Sequence, residues 1–157
     1  MRMLVRGLQG KQDYTLDDKG RVAVAQRFRD LLGDSFHVMR AIANPCLVLL
    51  SDADKEELDN KFSGVSQFDE EMWEFIGWLY SGMYSCTPDK QNRITIPSDL
   101  REYADLKLNT TVVISGANSR VEIWNADAYE ARRATLEKTD SEKRAALFAR
   151  AKAEYKL

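Results

Sequence analysis

Two segments of this 157-residue chain carry the same motif, and this internal duplication constrains the fold more than any other feature. Residues 17–24 read DDKGRVAV and residues 89–96 read DKQNRITI, so that in both an Asp is followed four positions later by an Arg. The motifs lie 72 residues apart, and the same shift superimposes RVAVAQRFRDLL (21–32) on RITIPSDLREYA (93–104). We therefore predict one structural unit that is present twice, not a longer repeat array.

The duplication extends beyond the motif. A shift of 74 places LVLLSDADKEEL (47–58) on VEIWNADAYEAR (121–132), so each copy predicts a hairpin turn, a strand, a short helix, two strands and a longer helix. A unit of about 45 residues is near the lower limit for independent folding, so we expect the copies to share one core. The predicted organisation is a first repeat, a linker helix region, a second repeat and a C-terminal helical appendage, at residues 11–58, 59–83, 84–128 and 129–157.

The loop between the Asp and the Arg of each motif has three residues. Such hairpin loops are commonly a type I turn followed by one residue in the left-handed region. Gly20 holds that third position in the first copy, and Asn92 holds it in the second; these residue types tolerate positive φ best. The predicted hairpin-motif residues are Asp17, Gly20, Asp89 and Asn92.

The charged residues of these turns admit two interpretations. In the first, Asp and Arg form an ion pair that only closes the hairpin, worth less than about 1 kcal/mol on an exposed edge. In the second, a turn tip with Lys and Arg on a rigid strand end presents contacts to phosphate groups. The residues alone do not favour either interpretation. The candidate phosphate-binding residues are Lys19, Arg21, Lys90 and Arg93.

The helices have recognisable signals at their ends. Gly33 is expected to end the first short helix, and Ser98, after the strand-ending Pro97, is expected to cap the second. The segment 69–84 predicts a linker helix that packs between the copies, because its apolar residues recur with helical spacing. These residues are Met72, Phe75, Ile76, Leu79, Tyr80 and Met83.

Composition argues against an enzyme. His37 is the only histidine, which removes most triad, general-base and zinc arrangements, and no glycine-rich phosphate-binding loop is present. We expect no cofactor, no bound metal and no small-molecule substrate. Cys46 and Cys86 lack the spacing of a metal or redox site and are expected to be buried as small apolar residues. No apolar stretch suits a membrane span or a signal peptide, so we expect a cytoplasmic protein without a membrane partner.

Charge is segregated along the chain. The net charge is −2, which argues weakly against nucleic acid as a partner. However, residues 1–33 hold seven Lys or Arg against four Asp, whereas residues 52–71 hold eight acids against two lysines. A chain of this kind can present one basic surface while remaining acidic as a whole.

Taken together, three segments of the chain resemble the MraZ family of bacterial transcriptional regulators. They are GKQDYTLDDKGRVAVAQRFRDLL, DKQNRITIPSDLREYADL and VEIWNADAYE, and the resemblance covers about residues 8–132. The family's motif arginine corresponds to Arg21 in the first copy and to Arg93 in the second. The family's proline after the first strand is replaced by Ala25 but is kept as Pro97 in the second copy.

The resemblance implies an α+β fold, a duplicated AbrB-like swapped-hairpin β-barrel with short and linker helices. It also implies a ring-shaped homo-oligomer that recognises short direct repeats in promoter DNA, associated with the division and cell-wall gene cluster. Double-stranded DNA and further copies of the chain are thus the expected partners, and the location is the nucleoid. The alternative is a non-catalytic oligomeric scaffold that binds protein or peptide, in which Arg21 and Arg93 only close their hairpins.

Overall fold

A computed structural model describes residues 4–137 and 141–155, with helices and strands in an order that repeats. The first series is β1 (Lys11–Leu16), β2 (Arg21–Ala23), α1 (Gln26–Leu32), β3 (Phe36–Arg40), β4 (Leu47–Ser51) and α2 (Asp52–Phe62). Helix α3 (Glu70–Ser81) follows it. The second series is β5 (Tyr84–Cys86), β6 (Arg93–Thr95), α4 (Ser98–Tyr103), β7 (Thr110–Ala117), β8 (Arg120–Asn125) and α5 (Ala126–Glu137), followed by α6 (Ser141–Tyr155). The element order predicted for each copy is therefore present in both.

The strands of the two copies are interleaved. Six of them form an antiparallel sheet in the order β1-β7-β8-β4-β3-β5, and β2 pairs with β6 as a separate two-stranded ribbon. When β1–β4 are exchanged with β5–β8, the order of the six-stranded sheet reads the same from the opposite edge. Among the described residues, four strand pairs join the two copies, whereas two lie within a copy, so pairing between the copies is the more extensive.

The prediction of a closed β-barrel is wrong. Strands β1 and β5 are the two edges of the six-stranded sheet, and among the described residues they do not pair with each other. A barrel requires its edge strands to pair with each other. Here each edge strand is followed by a motif turn. These turns direct the chain into the short β2–β6 ribbon, so the fold is α+β with an open antiparallel sheet.

One core is built from equivalent residues of both copies, as predicted. Val22, Val24, Phe28 and Leu32 of the first copy belong to the same buried cluster as Ile94, Ile96, Leu100 and Ala104, their counterparts 72 residues later. Burial of one large apolar side chain stabilises a fold by about 1.5–3 kcal/mol. Neither copy alone could bury all of these side chains. Cys46 and Cys86 are also buried, as predicted.

One of the two predictions for the ends of the short helices is confirmed. Gly33 follows α1 with φ 95° and donates its N–H to the Arg29 carbonyl, so it ends that helix as expected. The cap predicted at Ser98 is wrong, because α4 begins at Ser98 and Pro97 occupies the capping position. Proline has no side-chain oxygen to offer, so α4 begins without a side-chain cap in the described structure.

Helix α3 connects the copies and is only partly covered. Ile76 and Leu79 are buried, whereas Met72 and Trp73 are 37% and 43% exposed. The side chain of Arg40 on β3 lies 4.4 Å from the centre of the Trp78 ring and thereby ties the end of α3 to the sheet. One face of the linker helix therefore contacts the sheet, and its packing between the copies stays a prediction.

The elements up to Asn125 form one compact unit, and α5 with α6 forms a second. Neither α5 nor α6 has a buried residue, and Arg144 of α6 donates to the Glu137 carbonyl at 2.8 Å. The predicted helical appendage, 129–157, includes residues 138–140 and 156–157, which lie outside the described residues. Within residues 4–137 and 141–155, no helix combines the length and apolar character of a membrane span.

Candidate nucleic-acid interface

The Asp17 carboxylate organises the first motif turn. Its Oδ1 accepts the backbone N–H groups of Lys19 and Arg21 at 2.9 and 2.8 Å, and its Oδ2 accepts the Arg21 Nε–H at 2.7 Å. The backbone closes the hairpin through Asp17 N–H to the Arg21 carbonyl at 2.9 Å. One side chain therefore holds both the loop and the guanidinium that follows it.

The second turn repeats this arrangement. Asp89 Oδ1 accepts the N–H groups of Gln91 and Arg93 at 2.8 and 3.0 Å, and its Oδ2 accepts the Arg93 Nε–H at 3.0 Å. Gly20 and Asn92 hold the third loop position with φ of 75° and 61°. The three-residue turns, and the left-handed residues predicted for them, are confirmed in both copies.

The β2–β6 ribbon places Arg21 and Arg93 on one face. Arg21 pairs with Thr95 and Ala23 pairs with Arg93, so the two arginines are diagonal neighbours across the ribbon. On the other face, Val22 and Ile94 are buried in the core. Because the buried face fixes the register, it also fixes the outward direction of both arginines.

The two arginines have different electrostatic surroundings. Arg21 pairs with Asp17, whereas Arg93 pairs with Asp89 at 3.0 Å and also lies 3.9 Å from the Asp17 carboxylate. The bond from the Arg21 N–H, assisted by the Arg21 guanidinium, lowers the pKa of Asp17 to about 2. The equivalent bond from the Arg93 N–H lowers the pKa of Asp89. Both aspartates are therefore ionised at neutral pH, which makes them unsuitable as general acids.

The two predicted lysines are exposed but occupy different places in the loops. Lys19 is the second loop residue of the first turn, and Lys90 is the first loop residue of the second. Their equivalents in the opposite turns are Gln91 and Asp18. The backbone is therefore symmetric while the positions of the positive charges are not.

Sequence reasoning missed two arginines at this ribbon. Arg29 on α1 donates from Nη1 to Oδ1 of Asn92, in the turn of the other copy. Arg101 on α4 donates from Nε to the Ile96 carbonyl at 3.1 Å, and lies against Gly20 of the first turn. The sequence does contain a signal that could have identified them, because a shift of 72 residues superimposes Arg29 on Arg101.

The arrangement suits binding of an anion rather than catalysis. Cationic side chains outnumber carboxylates around the ribbon, although the chain as a whole has a net charge of −2. Among the described residues, no three His, Cys, Asp or Glu side chains form a group that could hold a metal ion. Arg21 and Arg93 are half-buried at fixed positions, with exposed lysines beside them, and such groups contact phosphates and base edges.

Comparison with known proteins identifies relatives across most of the chain. A family model described as "MraZ protein, putative antitoxin-like" matches residues 8–74 and 79–151. A protein of Desulforamulus reducens named "Transcriptional regulator MraZ" is 36% identical over 121 residues, which is 77% of this chain and 83% of that protein. A protein of the same name from Carboxydothermus hydrogenoformans is 34% identical over 120 residues, or 76% and 82%.

Proposed function

This chain belongs to the MraZ family of transcriptional regulators and is not an enzyme, and we propose that it acts by binding double-stranded DNA through the face of the β2–β6 ribbon. Arg21, Arg93, Lys19 and Lys90 are the contact residues in this proposal. The motif residues Asp17, Gly20, Asp89 and Asn92 give the turns their shape.

The observation that carries the proposal is the common outward face of Arg21 and Arg93. The major groove of B-DNA is wide enough to admit a two-stranded β-ribbon. Arginine can bind phosphates as well as guanine edges, and lysines nearby can bind the phosphates on either side. Because one face of the ribbon is buried in the core, the ribbon presents these groups without the cost of ordering a flexible loop.

We propose an AbrB-like swapped-hairpin origin for the fold, with repeats at 11–58 and 84–128, a linker at 59–83 and an appendage at 129–157. The interleaved strand order supports it, since each copy contributes strands to both halves of the sheet. In such an arrangement one chain carries two motif turns related by an approximate two-fold axis. The two turns then form one recognition unit.

We further propose that several copies assemble as a ring and bind short direct repeats in a promoter, that of the division and cell-wall gene cluster. A single ribbon offers few contacts, but linked sites raise the effective concentration of each successive contact. The exposed apolar residues Phe68 and Trp73 support assembly, because their burial against another copy would be favourable. A regulator of this kind acts in the cytoplasm at the nucleoid, and it needs no cofactor or small-molecule substrate.

A scaffold that binds protein or peptide is the second candidate, and the ion pairs favour it. Arg21 and Arg93 each bond to the Asp of their own turn, at 2.7 and 3.0 Å, which satisfies part of each guanidinium without any ligand. In this case the two arginines would only close the hairpins, and any DNA binding would not depend on them.

Selection from fragmented DNA separates the two candidates. Purified protein is mixed with random genomic fragments, and the captured fragments are sequenced. The regulator predicts enrichment of a short repeated sequence, which the double variant Arg21→Ala, Arg93→Ala should lose while it keeps the wild-type assembly state. Recovery of unselected fragments by both proteins would contradict the proposal and favour the scaffold.

A further inference from the structure

The third residue of each motif turn is bonded to the other repeat. The Asn92 carbonyl of the second turn accepts the Val24 N–H at 2.8 Å. The Gly20 carbonyl of the first turn accepts the Ile96 N–H, also at 2.8 Å. Each turn tip is therefore attached to the strand end that belongs to the opposite copy.

An arginine from a short helix reaches the same position in each turn. Arg29 of the first repeat donates to the Asn92 side chain of the second. Arg101 of the second repeat lies so close to Gly20 of the first that a Cβ atom there would be 3.1 Å from its Nε. Because Gly20 has no side chain to accept a bond, Arg101 donates instead to the carbonyl of Ile96 in its own repeat, the residue whose N–H is bonded to the Gly20 carbonyl.

We propose that Arg29 and Arg101 are positioning residues, each of which holds the motif turn of the opposite repeat and so fixes the two DNA-contacting arginines relative to each other. The Nε of Arg29 is buried, and its Nη1 is bonded to Asn92. An arginine in this position supports the turn and does not itself contact the DNA. Recognition groups need such support, because a loosely held turn must be ordered again on every binding event.

The holding of the turns can be tested on the full chain without DNA. Arg29→Met keeps the apolar stem and removes the donor, so the Val24 amide should exchange with solvent about tenfold faster, as expected when a supporting bond is lost. The Ile96 amide should keep its protection. The matched variant Arg101→Met should give the reverse pattern. The proposal would be overturned if either variant lost protection from exchange equally at both amides, or if neither variant changed the exchange of either amide.

The consequence for DNA rests on the proposed function and is measured separately. Arg29→Met should weaken binding several-fold but leave the dependence of affinity on salt unchanged, because no phosphate contact is lost. Introduced into Asn92→Gly, in which the accepting side chain is already absent, Arg29→Met should have little further effect.

Three results would contradict this part. One is a fall of about 0.9 or more in the magnitude of the salt slope for Arg29→Met, which would make Arg29 a phosphate contact. The second is additivity of Arg29→Met and Asn92→Gly, and the third is unchanged DNA affinity in Arg29→Met. If instead Arg21→Ala binds DNA as the wild type does, the proposed function fails, while the amide exchange still decides whether the turns are held.

Discussion

At the scale of single residues, the Asp and the Arg of each motif have different tasks. The Asp17 carboxylate bonds to two backbone N–H groups and one guanidinium, so it shapes the turn. Arg21 takes part in those bonds through its backbone N–H and its Nε–H, and its side chain lies on the outward face of the ribbon. The D-x-x-x-R pattern therefore combines a structural residue with one available for recognition.

The first prediction compares Asp17→Ala with Arg21→Ala. Loss of Asp17 should lower the free energy of unfolding, because the turn loses three accepted hydrogen bonds. Loss of Arg21 should leave stability nearly unchanged and weaken DNA binding at least about tenfold, the cost of one good contact. Urea unfolding and DNA titration of both variants make the comparison. Normal DNA binding by both would show that the turn is structural only.

The second prediction concerns acid stability. The folded-state pKa of Asp17 is lowered from 3.8 to about 2, so its contribution is complete above pH 4 and is lost as the pH falls from about 4 to 2. Asp17→Asn should lose less stability over that range than the wild type. Asp18→Asn is the matched control, since within the described structure Asp18 makes no side-chain bond to the turn. If all three proteins have parallel pH profiles, this assignment is wrong.

At the scale of elements, local chemistry is predictable from the sequence and pairing between distant strands is not. The turns follow from loop length and from Gly20 and Asn92, and the end of α1 follows from Gly33. The pairing of β2 with β6 depends on how two equivalent copies exchange strands, and a strand's own residues do not specify its partner. The expectation of a barrel comes from the family resemblance, and the roles of Arg29 and Arg101 depend on contacts between the copies that the sequence does not specify.

The third prediction uses one substitution at two glycines. Gly20→Ala should destabilise by about 1–3 kcal/mol, because φ is +75° and the new Cβ would lie 3.3 Å from the Ile96 carbonyl oxygen. Gly77→Ala, in α3 with open space around its Cβ, should stabilise by about 0.5–1 kcal/mol through helix propensity. Urea unfolding measures both. Changes of the same sign would contradict this account of Gly20.

At the scale of the whole molecule, the surface has apolar groups that one chain leaves uncovered. Phe68 is 92% exposed, and Phe148 and Tyr155 on α6 are 57% and 68% exposed. The two repeats share one core and so do not need a second chain to fold. Assembly should therefore use these peripheral surfaces and leave the β2–β6 ribbon free for DNA.

The fourth prediction is that the protein is not a monomer at micromolar concentration. The exposed apolar residues should be covered by further copies, because burial of such side chains is favourable. Light scattering coupled to size-exclusion chromatography should give a mass that is a multiple of 18.0 kDa. A mass of 18.0 kDa across the micromolar range would contradict the ring.

The central claim, that DNA is bound by the arginines of the ribbon, is tested most directly by the salt dependence of affinity in the wild type, Arg21→Ala and Arg93→Ala. Log affinity should fall with log salt by about 0.9 for each phosphate contact. Both variants should flatten this slope by more than about one unit, because several copies bind together. Arg21→Ala should flatten it more than Arg93→Ala, because Arg93 lies near two carboxylates. Equal slopes for the two variants would contradict the asymmetry, and an affinity that is independent of salt would contradict DNA binding through these turns.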